Sequence, residues 1–173
     1  MDVLVRREAH ADVTAVDALH RAAFDRDAEA DLLAALRAEG DLVRPLCRVA
    51  VAAGLVVGSV VCSRATIAGA DRVVGLGPVA VLPDRQGRGI GNALVHDVLG
   101  AADALDLQAV VLLGSPDLYA RFGFEPAAAY GVDPPVPSWG RYFQLRPLSG
   151  WDGTLRGAFR YAPAFERLDP AAQ

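Results

Sequence analysis

The sequence predicts an α/β (α+β) domain on a mixed, mostly antiparallel central sheet of six to seven strands flanked by helices. Three observations carry that prediction. Apolar, β-branched runs at 47–53, 55–67 and 73–81 succeed one another across short turns at Gly54 and at Gly69-Ala70-Asp71, which is an antiparallel meander. The third run enters a glycine-rich turn, a helix-periodic stretch and a further apolar run at 108–113; strand, helix, strand in that order is a right-handed parallel crossover, so the sheet is mixed. Apolar residues also recur at helical spacing over 13–24, 28–39 and 90–105, supplying the covering helices.

In chain order, residues 3–6 form a first strand. Asp12 then offers an N-cap to a helix whose inner face is Val13, Val16, Leu19, His20, Ala23 and Phe24, with His20 read as a hydrogen-bonded packing residue. The second helix, 28–39, turns Leu32, Leu33 and Leu36 inward and stops at Gly40. The stretch Asp25-Arg26-Asp27-Ala28-Glu29-Ala30-Asp31 between them has two readings: carboxylates favoured at a helix N-terminus, or a rim that attracts a cationic amine. Pro78 within the 73–81 run removes a ladder hydrogen bond and marks an edge, a bulge or a splayed strand.

The helix after the glycine turn carries the stripe Ile90, Leu94, Val95, Val98, Leu99, Ala102 and Leu105, with His96 on its solvent face. Ser115 as N-cap, Pro116 at the first position and Gly123 past the end bound a short helix that carries Tyr119. Residues 142–145 and 154–161 are closing strands joined by a loop at 149–153. The proline-rich segment 130–140 fits a cover over the site.

The 173 residues fit one domain, 1–173, with a core at 1–168 and a tail at 169–173. A hydrophobic content of 53% with 22% charged residues is that of a globular protein, and no apolar run reaches the ~18–20 residues of a membrane helix. The start shows no signal peptide, and a cytoplasmic setting is expected. A net charge of −4 argues against nucleic acid as a main partner. Cys47 and Cys62 stand in strand-like contexts without CxxC spacing or a nearby histidine, so we read buried reduced thiols and no metal.

The chemistry concentrates in Leu82-Pro83-Asp84-Arg85-Gln86-Gly87-Arg88-Gly89-Ile90-Gly91. A strand, a glycine turn and a helix start aim several free N–H groups at one point on the positive end of the helix dipole, a seat for phosphate. The GxxxxGK[ST] spacing with its lysine and hydroxyl is absent, which argues against a nucleoside triphosphate with bound magnesium. Gly75 to Ala80 matches GxGxx[GA] but lies inside a strand run with no helix behind it.

Gln86-x-x-Gly89-x-Gly91 after a strand, followed one helix and one strand later by Tyr119-Ala-Arg-Phe-Gly123-Phe124, resembles the GNAT superfamily of acetyl-CoA-dependent N-acetyltransferases. The resemblance implies acetyl-CoA as cosubstrate. Its pantetheine arm would lie on Val79, Ala80 and Val81, its pyrophosphate on the main chain of Gln86, Gly87, Arg88, Gly89, Ile90 and Gly91, with Ser115 also at the cofactor. It further implies Tyr119 as general acid to the leaving thiolate and an amine acceptor. No residue declares itself as the base. Glu29 and Asp31 are candidates through water, and His10, His20 and His96 are weaker. Two functions stay open: an N-acetyltransferase acting on a small-molecule or peptide amine in a ternary complex, and a non-catalytic acyl-CoA sensor or interaction module. The aromatic C-terminal strands offer a homodimer contact.

Overall fold

The computed structural model describes residues 2–24 and 27–167, so Asp25, Arg26 and the 169–173 tail lie outside the described residues. Strand β1 (Leu4–Arg7) is followed by helices α1 (Val13–Ala23) and α2 (Ala28–Glu39), then by β2 (Arg48–Ala52), β3 (Leu55–Ile67) and β4 (Ala70–Val81). Helix α3 (Ile90–Ala104), β5 (Ala109–Leu113) and the short α4 (Pro116–Tyr119) come next. Four strands close the chain: β6 (Glu125–Pro126), β7 (Val132–Asp133), β8 (Phe143–Pro147) and β9 (Gly157–Tyr161). Seven of these strands have four or more residues, as expected; β6 and β7, of two residues each, carry no sequence signal.

The sheet order is β1-β2-β3-β4-β5-β8-β6. β4 and β5 are parallel, and the other pairings along this path are antiparallel. β9 joins the far end of β3 through Ala65–Ile67 and pairs with β7 on its other side. The two C-terminal strands expected as a dimer contact thus each have strand neighbours on both sides within the chain.

Residues of one parity build each face. Val60, Cys62, Val74, Leu76, Val110 and Leu112 pack beneath Ile90, Leu94, Val95 and Val98 of α3. Leu94 is fully buried, and truncation to alanine would cost about 2–5 kcal/mol. Gly58 lets α3 settle closely: a Cβ there would stand 2.8 Å from Ile90 and 3.0 Å from Leu94. On the opposite face Val16 of α1 and Leu33 of α2 cover Val49 and Val61. Beside them Ala65, Val73, Val111, Phe143 and Phe159 form an aromatic-rich cluster.

Several local expectations are corrected. Asp12 occupies the N-cap position of α1, but its carboxylate accepts from the Ala9 N–H (2.7 Å) and pairs with Arg6 (2.6 Å), which holds its pKa below the ordinary carboxylate range. Both His20 ring nitrogens lack a hydrogen-bond partner among the described residues; the ring is buried and stacks on Phe24 at 5.9 Å. Leu105 falls just past α3 and is exposed. The β3–β4 turn is confined to Ala68 and Gly69, both at positive φ, and Ala70 and Asp71 already belong to the strand. Thr154 sits in a turn bonded to Asp152, before β9 begins, and Tyr142 ends a 3₁₀ turn instead of starting a strand. Cys47 and Cys62 are buried free thiols; burial pushes the Cys47 pKa up to about 11 and that of Cys62 up as well.

Candidate active site

Parallel pairing brings the carboxyl ends of β4 and β5 to the same side of the sheet, the place where ligands enter folds of this kind. The pairing spans only Val73–Gly75 on β4 and Ala109–Val111 on β5. Beyond it the strands part, leaving Leu76–Val81 bonded to β3 alone. A bulge adds to the divergence: Gly77 and Pro78 stand opposite the single residue Val61, so Pro78 marks the irregularity expected of it.

Ladder alternation settles which backbone groups face the gap. Leu82 N–H donates to Val57 C=O (3.0 Å), so Ala80 directs its N–H and C=O to Ser59 of β3, while Val79 and Val81 turn theirs toward the open edge. Val81 C=O is capped there by the Gln86 side-chain amide (3.1 Å), which ties the loop to the end of its strand. Of the three strand residues expected at the cofactor, Val79 therefore offers both backbone groups to the gap, Val81 only its N–H, and Ala80 neither.

The chain then makes a 3₁₀ turn at Pro83–Arg85 and passes Gly87 (φ +72) and Gly89 (φ +80) into α3. Left-handed backbone at both positions is open to glycine without strain. Among the described residues no backbone carbonyl accepts from the N–H groups of Gly87 through Asn92, and no side chain would crowd a Cβ at Gly87 or Gly89. The Gln86 N–H is already directed to Pro83 C=O (3.4 Å). Arg88 is exposed and makes no ion pair with a described residue, whereas Arg85 pairs with Asp84. These features make an anion seat at a helix N-terminus.

Beyond β5, α4 and a 3₁₀ turn carry the chain to Gly123, at φ +80, as expected. Ser115 holds the N-cap position, but it is its carbonyl that is used, accepting from Leu118 and Tyr119; its hydroxyl makes no cap. Tyr119 packs edge-on to Phe124 (centroids 5.9 Å) and against Phe122 (6.2 Å), while His96 of α3, exposed as expected, meets Phe122 at 5.0 Å. Burial raises the Tyr119 pKa above the ordinary phenol value, so the group stays protonated at neutral pH, and its hydroxyl bonds to no described residue. Gly114, which sequence reasoning passed over, makes this placement possible: a Cβ there would lie 2.5 Å from the Tyr119 ring. Gln144 of β8, also unforeseen, donates to Gly114 C=O (2.8 Å), and the Gly114 N–H donates to Tyr142 C=O (2.9 Å), tying the 130–142 segment to the end of β5.

Of the base candidates, Glu29 and Asp31 lie in the first turn of α2. Asp31 and Asp27 face Arg21 (3.8 and 2.7 Å). Glu29 has a buried carboxylate oxygen. Its helix packs chiefly on α1 and on the C-terminal 3₁₀ turn. His20 is enclosed and His10 is exposed. No group of three or more metal-ligating side chains occurs among the described residues, and none of their helices is long and apolar enough to cross a membrane.

This geometry has close relatives. Residues 45–126 match the family model of the acetyltransferase (GNAT) domain. The N-acetyltransferase YhbS of Escherichia coli is 37% identical over 156 residues, 90% of this chain and 92% of that protein. A crystal structure of YhbS in complex with CoA superposes with a TM-score of 0.91, covering 96% of this chain and 93% of that one. A GNAT family acetyltransferase from Brucella melitensis in complex with acetyl-CoA superposes at 0.79 with 31% identity, covering 95% and 98%.

Proposed function

This chain belongs to the GNAT acetyltransferase family and is an N-acetyltransferase that uses acetyl-CoA, and from that premise we propose that it acetylates a primary amine of a small molecule or peptide by direct attack in a ternary complex. The observation that carries the reading is the gap between β4 and β5, with the unclaimed N–H groups of the Gly87–Asn92 stretch at its mouth. A diphosphate fits the loop amides and Arg88, and an amide-bearing arm fits the free N–H and C=O of Val79. Ser115, two residues past the end of the neighbouring strand β5, is the contact assigned to the other side.

Acetyl-CoA supplies an activated acyl group on sulfur. Tyr119 holds its proton at neutral pH and donates it as the C–S bond breaks and the acetyl carbon joins the amine nitrogen. That help is modest, because a thiol of pKa about 8.5 leaves readily. The larger demand is on the amine: an alkylammonium of pKa about 10.4 must lose its proton at a cost near 4.6 kcal/mol at pH 7. We assign that proton to Glu29 through water; a Glu29→Gln variant with an unchanged pH profile of kcat/KM removes it from the role. Holding amine and thioester together contributes roughly 7–11 kcal/mol.

The acceptor comes from outside. All 17 lysine-plus-arginine positions are arginine, so the chain carries no side-chain amine of its own. The buried reduced thiols suit a cytoplasmic setting. The test is thiol release from acetyl-CoA against a panel of polyamines, amino acids, aminoglycosides and peptides. Amine-dependent release that falls in Tyr119→Phe supports the reading, and release that no amine accelerates contradicts it.

A further inference from the structure

We propose that the ring of Tyr161 sets the length of the acyl group this enzyme accepts, an inference that rests on the acetyl-CoA reading above. Tyr161 lies opposite Ala65 in the β3–β9 pair, and Ala65 in turn lies opposite Val73 of β4, so the three share one face of the sheet. Along that face Ala65, Ser63 and Gly75 form a trough of small residues. The Tyr161 ring lies in it, reaching across β3 to β4. A Cβ on Gly75 would meet Tyr161 Cε1 at 2.7 Å and Cδ1 at 3.0 Å, with Ser63 Oγ at 3.4 Å. The glycine is therefore required by the ring: glycine inside a strand marks a close approach, and here the approaching group is identified.

Gly75 is also the last residue of β4 that pairs with β5, so it is the closed end of the gap. From the glycine loop back to Gly75 the strand covers roughly 20 Å, comparable to an extended phosphopantetheine arm. An arm anchored at Arg88 and Gly89 and laid along Val79 thus points its acyl end at Gly75. Three directions bound that end. Straight ahead, the β4–β5 ladder itself closes the way. Toward α3, Val74, Leu76 and Leu112 are buried in the core beneath the helix. Toward the opposite face stands Tyr161.

The ring has little freedom to step aside. Phe159 meets it edge-on at 4.6 Å, Phe165 stacks on it at 4.4 Å, and Trp139 lies at 6.3 Å. An acetyl group ends short of this wall and a butyryl group does not.

Binding of the donor isolates this effect from the amine. Acetyl-, propionyl- and butyryl-CoA are titrated calorimetrically into the wild type and into Tyr161→Phe, Tyr161→Leu and Tyr161→Ala, each checked by its thermal melt. The wild type and Tyr161→Phe should bind butyryl-CoA at least about tenfold more weakly than acetyl-CoA. In Tyr161→Ala the two should bind alike or in reverse order, because each newly buried methylene is worth about fourfold in affinity. Tyr161→Leu should fall between and stands in if the alanine variant does not fold. An unchanged butyryl-to-acetyl ratio in the folded leucine or alanine variant overturns the inference while leaving the acetyl-CoA reading intact. Failure of the wild type to bind any of the three overturns that reading, and the inference with it.

Discussion

Substituting alanine at Gly114 is expected to damage catalysis through Tyr119 alone. The new methyl would lie 2.5 Å from Tyr119 Cε2 and 2.9 Å from Cδ2, against about 3.5–4.0 Å for a relaxed carbon contact. The ring must retreat by about 1 Å. Phe124 edge-on and Phe122 beyond it resist that, so the hydroxyl moves at least as far. Gly114 has no left-handed backbone, so the effect is one of contact and not of backbone strain. A displacement of about 1 Å costs up to roughly 10²-fold in rate, bounded here by the cost of losing the donor altogether, and overpacking a tight site costs about 1–3 kcal/mol in stability. Removing the proton donor in Tyr119→Phe should cost kcat about 10–10²-fold, at or below the low end for a general acid, given the acidity of the leaving thiol. The two losses share one cause, so in the double variant they should not multiply. Alanine at Gly114 should change kcat little once Tyr119 is phenylalanine, a coupling of about 1.4–2.7 kcal/mol. Steady-state thiol release gives kcat, calorimetry gives the acetyl-CoA Kd, and a melt checks folding. Losses that multiply, or a folded Gly114→Ala enzyme with full kcat, refute the coupling.

Two further perturbations test other parts of the account. Gly89→Glu places a side chain and a negative charge at the proposed phosphate seat, where a Cβ meets nothing within 4 Å. The variant should fold, with about 1–2 kcal/mol lost to left-handed backbone, yet bind acetyl-CoA more than about 100-fold more weakly by calorimetry; near-normal affinity removes the seat. The second concerns His20, whose pKa burial pushes down to about 4, with Arg37 lowering it further and Asp17 opposing. Between pH 6.5 and 4 the unfolded chain binds the proton and the folded chain does not, so stability falls with falling pH by about 1.4 kcal/mol per unit. Denaturant unfolding should show about 2 kcal/mol of pH-dependent loss from pH 7 to 5 that His20→Leu abolishes; an equal loss in both proteins contradicts the assignment.

What the sequence made legible was the local part of the fold. Helix 28–39 with Gly40 at φ +75 and strand 55–67 match their expected bounds, because apolar periodicity and a glycine stop are written within a few residues. The loop glycines and the short helix around Tyr119 are legible for the same reason. Asp12 shows the limit: its position follows from N-cap preference, but Arg6, six residues away, wins the carboxylate. Sequence patterning could not place Tyr161 against Ala65, since nothing local joins strands nearly a hundred residues apart. Two glycines did carry a signal. Gly75 inside a strand and Gly114 at the end of one each mark the approach of a tyrosine ring, which becomes visible only when the third dimension supplies the ring.

The most direct test of the central claim, that the gap after Gly75 and Val111 with the Gly87–Asn92 amides is a seat for CoA, is calorimetric titration of the wild-type protein with acetyl-CoA, desulfo-CoA and ATP. Both CoA species should bind with similar affinity, because diphosphate and pantetheine contacts precede the sulfur, and ATP, lacking the arm, should bind far more weakly. Binding by neither CoA species, or equal binding by ATP, would contradict it.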